Sequence, residues 1–372
     1  RQMCIRDSTT FVFAPYFANH VAQNPANGQA LWGFATAAAG IAIALLSPVL
    51  GAIADATGRR KPWIAVFGTL LVLGSCLMWI GRPDAPELIT PLLTAYVIAT
   101  IGVEFATVFN NAMMPTLVPP ERIGRLSGTG WATGYVGGIL SLVIVLGFLA
   151  ANPESGRTLF GLKPLFGLDP GSYEGDRMSG PLTGIWFIVF VLPMFLFTPD
   201  HPARHRLGDA LRLGLGELKE TLLSLPRQRP VALFLLANMI YTDGLVSLFA
   251  FGGIYAAGTF GWHTIQLGTF GIILAIAGTF GGVLGGRLDD EIGPKRVIAG
   301  SMTLLLAAIV AILLVTKDSI LFIPVTPPVP GGALFASRPE QAYLVLGCVI
   351  GACGAPLQAA SRSMLILSLI HI

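Results

Sequence analysis

The sequence predicts an all-α, polytopic membrane protein, and three observations predict it. Apolar stretches, most of them long enough to cross a bilayer, follow one another along the chain. Charged residues make up 12% of the 372 and hydrophobic ones 53%, whereas soluble domains carry about 25% charged residues. A loop pattern of Gly, Asp and Gly occurs twice at one spacing. Mean hydropathy of +0.72 excludes a disordered chain, and a net charge of +3 is too small to argue for nucleic acid. The 45 glycines suit helices that approach closely in lipid. The 26 prolines are tolerable where neighbouring helices satisfy the freed backbone groups.

The apolar stretches fall at 9–22, 31–54, 63–81, 91–114, 129–150, 182–198, 231–257, 265–286, 297–316 and 341–364. Most reach the roughly 20 residues that a bilayer core of about 30 Å requires. The first is short and the sixth marginal, so ten spans are expected. Arg1 to Ser8 and Leu367 to Ile372 read as translated sequencing-adapter and are set apart from the fold. The true start and the C-terminal part are therefore expected to be missing. Cys4, Cys76, Cys348 and Cys353 show no CxxC or Cys/His spacing and read as buried thiols rather than metal ligands.

Orientation follows from the cations. Loops after the second, fourth, sixth and eighth stretches hold fourteen: Arg59, Arg60, Lys61, Arg122, Arg125, Arg204, Arg206, Arg212, Lys219, Arg227, Arg229, Arg287, Lys295 and Arg296. The other loops hold six: Arg82, Arg157, Lys163, Arg177, Lys317 and Arg338. The positive-inside rule then places the N-terminus in the cytoplasm. Pro199 to Pro230 is the most polar stretch, contains the helix-forming GELKETLLSL, and divides six spans from four. The division predicts a half at 9–198, a linker at 199–230 and four helices of a second half at 231–366.

The second span ends in GAIADATGRRKPW, with Gly51, Asp55, Gly58, Arg59 and Arg60. The eighth ends in GRLDDEIGPKRVI, with Gly286, Asp290, Gly293, Lys295 and Arg296. A carboxylate at a helix end costs less than one at mid-membrane, and it can meet the positive end of another helix while the cations snorkel outward. Both loops are expected to act as gate elements on the cytoplasmic side. Gly130, Gly134 and Gly138 in the fifth span, and Gly278, Gly282 and Gly286 in the eighth, are expected to form close-packing stripes.

Those loops resemble the signature of the major facilitator superfamily: Gly, three residues, Asp, two residues, Gly, then Arg or Lys. The segments EFATVFNNAMMPTLVPPERIGRLSGTGWATGYVGG, LANMIYTDGLVSLFAFGGIYAAGTFGW and GAPLQAASRSM resemble its vacuole-effluxer branch, related to an autophagy-associated amino-acid exporter of yeast vacuoles. The resemblance implies two pseudo-symmetric six-helix halves, the C-terminal one truncated, with about ten spans present. It implies secondary active transport of a small polar solute, amino acids included, with proton coupling and alternating access. It also implies that Asp290 meets the start of the fifth span near Ser127 to Gly130, while the partner of Asp55 lies in the missing region. Tyr135 stands where the antiporter signature needs proline, so antiport is unsupported. The expected setting is a bacterial inner membrane, and the expected partners are a solute, lipid and protons, with a monomeric protein and no cofactor.

Intramembrane polar residues supply the candidate path. Glu104 and Asp243 lie about a dozen residues into the fourth and seventh spans, near mid-membrane at 1.5 Å per residue. A charge there costs roughly 2.5–3.5 kcal/mol, which makes each a candidate for proton coupling. Thr107, Asn110 and Asn111 lie on or beside the Glu104 face. Asn238, Tyr241 and Thr242 accompany Asp243, where Gly244 could allow an irregular turn. Tyr16 after Pro15 and Gln358 after Pro356 mark further breaks. Interhelical hydrogen bonding is the plainer reading of each neutral group. His263, beside Trp262, reads as interfacial. No Gly-Lys-Ser/Thr loop, HExxH or Ser/His/Asp setting is present, so no enzyme is expected. A channel and a non-transporting receptor or scaffold are the alternatives.

Overall fold

The computed structural model describes residues 12–22, 24–153, 155–200, 202, 205, 207–224, 228–260, 262, 264–325 and 335–371. Ten long helices order the described chain: α1 (Pro25–Thr57), α2 (Lys61–Leu77), α3 (Ile89–Ala112), α4 (Ile123–Ile144), α5 (Ser179–Phe197), α6 (Leu207–Ser224), α7 (Arg229–Phe260), α8 (Thr264–Ile292), α9 (Pro294–Leu313) and α10 (Arg338–His371). All but α6 are long and apolar enough to cross a membrane, giving nine candidate spans among the described residues. The first expected span is the difference. Of 9–22 only 12–22 is described, and it forms a short helix at Ala14–Tyr16 followed by a π-helical turn at Phe17–Val21. Ten residues at 1.5 Å each reach about 15 Å, half a bilayer core.

Local chemistry explains the helix boundaries. Asn24 caps α1 by accepting from the Ala26 N–H at 2.8 Å, with Pro25 in the first turn. Gly58 and Gly293, at φ +81° and +87°, end α1 and α8 in backbone that other residues avoid. Each returns its N–H to the carbonyl four residues back, Ala54 at 3.1 Å and Asp289 at 3.0 Å. Pro62 and Pro294 then start α2 and α9. Before α10, Ser337 and Glu340 form a reciprocal capping box. The Ser337 N–H donates to Glu340 at 3.0 Å, and the Glu340 N–H donates to the Ser337 hydroxyl at 3.3 Å. The other Glu340 oxygen accepts from the Trp262 indole at 2.8 Å. Ser337→Ala should cost about 1 kcal/mol, read as a lower midpoint in thermal unfolding of the purified protein.

The chain clusters into two compact units. The first comprises Arg1–Met114 with Gly137–Ser224, the second Pro115–Val136 with Leu225–Ile372. The first half of α4 thus belongs with the second unit, whereas the sequence division assigned it to the first half. In the first unit Phe67, Phe105 and Phe109 pack between α2, α3 and α5. Gly74 and Gly102 let α2 and α3 touch backbone to backbone. Within the polar 199–230 segment, α6 packs on α1, with Gly214 against Ala52. In the second unit Trp262, Phe270, Tyr343, Leu305 and Ile312 form the core. The stretch between α4 and α5 holds a small hairpin, β1 (Ala151–Asn152) with β2 (Arg157–Thr158). A second, β3 (Ser319–Ile320) with β4 (Ile323–Pro324), follows α9. Helix α10 continues as backbone through His371, across the residues the sequence set apart. Arg204, Arg206, Arg227, His263 and Cys4 lie outside the described residues.

Candidate functional site

The first signature loop is held from two directions. Asp55, on the last turn of α1, pairs with the Arg60 guanidinium, whose side chain is buried while that of Asp55 is exposed. Asp200, three residues after α5, accepts the backbone N–H of Arg60 at 2.9 Å and of Lys61 at 3.3 Å. A carboxylate at the N-terminus of α2 is favoured by the helix dipole. Lys61 reciprocates, its ammonium donating to the Phe195 carbonyl in the last turn of α5 at 2.8 Å. Gly51 is half buried on α1 and Arg59 is exposed. The loop is therefore clamped between α1, α2 and the end of α5, all within the first unit.

The second loop sits in a denser cluster. Asp290 accepts the Arg125 N–H at 3.1 Å and faces the Arg125 guanidinium at 3.7 Å. That is the first turn of α4, two residues before the Ser127 to Gly130 stretch expected to receive it. Its neighbour Asp289 is 4% exposed, accepts from the Ser363 hydroxyl of α10, and lies against Gly124. Arg362 spans the same gap. Its Nε donates to the Ser127 hydroxyl at 2.9 Å and its Nη2 to the Ser127 carbonyl at 2.8 Å. The Ser127 hydroxyl in turn donates to the Ala359 carbonyl at 2.8 Å. The start of α4, the end of α8 and the stretch of α10 from Ala359 to Ser363 are thus joined by two carboxylates, two serines and two arginines. Lys295 and Arg296 are exposed on the first turn of α9.

Glycines make this approach possible. Gly282 and Gly286 face Gly124 and Gly128 of α4, and a methyl on Gly286 would stand 2.9 Å from the Gly124 carbonyl oxygen. Gly281 and Gly285, one residue earlier on each turn, face Ala352 and Pro356 of α10. The run Gly281-Gly282-Val283-Leu284-Gly285-Gly286 is therefore two interleaved stripes about 100° apart, one for each neighbour. Of the stripe expected on α4, Gly130 does not join this contact. Gly130 stands two residues off the contact face, and a methyl there would have Arg362 as its neighbour at 3.6 Å. Gly278 packs under the Tyr135 ring.

The mid-helix candidates are distributed between the units. Glu104, Thr107 and Asn111 are half buried on α3, and Asn110 is exposed. The Thr107 hydroxyl donates to the Val103 carbonyl at 2.8 Å. On α7 the Tyr241 hydroxyl donates to Asn238 at 2.7 Å, one turn back, while Asp243 is exposed. The irregular turn expected at Gly244 does not form, because α7 runs unbroken from Arg229 to Phe260 and satisfies the backbone there. Nor does the chain break at Pro356: α10 is continuous, Pro356 packs on Gly285, and Gln358 is half buried. Tyr16 is buried, and its hydroxyl is committed to the Gly81 carbonyl at 2.7 Å.

Comparison with known proteins fits this geometry. Residues 29–367 match the family model described as vacuole effluxer Atg22 like. The chain belongs to that family. It is 25% identical over 253 residues to the uncharacterized MFS-type transporter YxiO of Bacillus subtilis, covering 67% of this chain and 56% of that one. It is 22% identical over 240 residues to autophagy-related protein 22 of Yarrowia lipolytica, covering 58% of this chain and 36% of that one. The chain thus spans about half the length of the first of these curated relatives and about a third of the second. A partially occluded inward-open structure of the xylose transporter XylE from E. coli superposes with a TM-score of 0.56, covering 98% of this chain and 80% of that one at 15% identity. The fold is that of the major facilitator superfamily, and the chain is an integral, multi-pass membrane protein.

Asp200, Asp289, Arg362 and Ser363 were not singled out from sequence. Arg362 carried a readable signal, an arginine near the end of an otherwise apolar stretch. Asp200 carried none, since its role depends on where α5 ends relative to α2.

Proposed function

We propose that this Atg22-like transporter is a proton-linked carrier of a small polar solute, with amino acids the first class to test. It works by alternating access, its two halves rocking about a central site, in a bacterial inner membrane with a cytoplasmic N-terminus. The observation that carries the reading is the pair of matched loops. Gly58 and Gly293 each end a helix at positive φ, and each is placed three residues after a carboxylate that engages an arginine. A device repeated in both parts of a chain suits a transporter that closes and reopens one side, and a static scaffold has no use for it.

Glu104 is the proton site in this reading. It lies within the 24 residues of α3, half buried, where an ionised carboxylate costs roughly 2.5–3.5 kcal/mol in lipid. Such a group changes charge readily as its surroundings change. Glu104→Gln keeps the shape and removes the proton. In proteoliposomes the variant should lose uptake driven by a pH gradient and keep solute exchange at equal pH. Undiminished gradient-driven uptake in Glu104→Gln would remove Glu104 from the mechanism, and the same assay on Asp243→Asn tests the second carboxylate.

A further inference from the structure

Two loops present bulky apolar side chains beside the ends of membrane helices. After β2 the first unit reads Leu159-Phe160-Gly161-Leu162-Lys163-Pro164-Leu165-Phe166-Gly167-Leu168, a tandem Leu-Phe-Gly-Leu. Leu159 is 74% exposed and Phe166 85%. In the second unit Leu321 and Phe322 form the tip between β3 and β4, with Phe322 79% exposed.

Neither sequence is what its turn requires. Two-residue hairpin tips with positive φ at both positions favour Asn-Gly or Gly-Gly, yet Leu321 and Phe322 take φ +49° and +68°. Phe166 takes φ +60°, a conformation disfavoured for a bulky residue. Turn chemistry therefore does not account for these side chains. Their position does. The Leu159 N–H donates to the Leu146 carbonyl at 3.0 Å, and Phe160 packs edge-on against Phe148 at 5.5 Å. The loop thus folds back to the depth of the last turn of a candidate span that ends at Leu149. Exposed Leu140 and Val143 on α4 and Leu146 in the π-helical turn Val145–Leu149 that follows it run into the loop, so the lipid-facing surface continues onto it.

The second hairpin is built alike. The Leu321 N–H donates to the Leu314 carbonyl at 3.1 Å, just past α9, whose Leu306, Val310 and Leu313 are exposed. Backbone groups near the first tip are satisfied locally, Thr158 to Leu162 at 2.9 Å and Gly161 to Thr158 at 2.8 Å, which apolar surroundings demand. Arg157 and Lys163 flank the first tip, the Arg157 guanidinium donating to the Gly161 carbonyl at 2.7 Å, and cations at such a boundary suit lipid phosphates.

We propose that these fold-back hairpins are bilayer anchors, with Leu159, Phe160 and Phe166 in one unit and Leu321 and Phe322 in the other inserted at the boundary between lipid headgroups and acyl chains. Side chains at that boundary lie roughly 5–10 Å below the surface.

The test places a single cysteine at Leu159, Phe166 or Phe322 in a chain whose own four cysteines are replaced. Each is labelled with an environment-sensitive fluorophore in vesicles of phosphatidylcholine and phosphatidylglycerol. Leu304→Cys, exposed within α9, reports lipid, and Ser155→Cys, exposed in the β1–β2 turn, reports water. The expected result is that the three hairpin labels lose most of their emission to lipids carrying a nitroxide near the headgroup, and little to aqueous iodide. Iodide quenching at the level of Ser155 would overturn the proposal by placing the tips in water. Protection from both quenchers would overturn it by placing them against protein.

Discussion

Gly128→Leu should prise α4 from α8 and abolish both stability and transport, whereas Gly130→Ala, two residues away, should do neither. A side chain at Gly128 would run into the Gly282 carbonyl oxygen and stand 2.6 Å from the Gly286 Cα. Backbone atoms cannot move aside as a rotamer can, so the helices must separate. Overpacking of this kind costs about 1–3 kcal/mol even in forgiving cores, and a helix pair held by close backbone contact has little else holding it in lipid. At Gly130 a methyl meets only the end of the Arg362 side chain, at 3.6 Å. Thermal unfolding of the two variants in detergent checks the contrast. Equal midpoints would mean that α4 and α8 do not cross where these glycines sit.

The second large effect belongs to Arg362. Its two bonds to Ser127 tie α10 to α4, and bonds to a charged group contribute about 1.5–3 kcal/mol each. Arg362→Ala should open the joint between the start of α4, the end of α8 and α10. A cysteine at Ala359, 1% exposed in the parent chain, should then react with a water-soluble maleimide at least tenfold faster, the factor about 1.4 kcal/mol supplies. Arg362→Lys should not restore protection, because one ammonium cannot address the Ser127 hydroxyl and carbonyl in the planar geometry of a guanidinium. Full protection in Arg362→Lys would show that charge alone holds the joint.

Much of this was legible before the structure. Apolar run length placed nine of the helices, because a span's length is fixed by the bilayer. The positions of Gly58 and Gly293 at helix ends follow from the spacing of the two loops, since each ends a helix on a residue tolerant of positive φ. Other features were legible only in part. The glycine stripes of α8 could be found in sequence, but a four-residue spacing on α4 occurs in two registers. Gly124 and Gly128 make the contact rather than Gly130, and nothing local to α4 distinguishes them. Asp200 clamps a loop some 140 residues away, a relation that depends on tertiary placement. The helix breaks considered at Gly244 and Pro356 do not interrupt α7 or α10: a glycine or proline permits a break, and packing decides whether the helix takes it.

The central claim, that this family member is a carrier and neither a channel nor a scaffold, is tested most directly by counterflow in proteoliposomes. Vesicles loaded with an unlabelled amino acid and diluted into a trace of the labelled one should accumulate label transiently above equilibrium, with saturation as the internal concentration rises. Label entry that is indifferent to internal solute, or no entry for any small polar solute tried, would contradict the account.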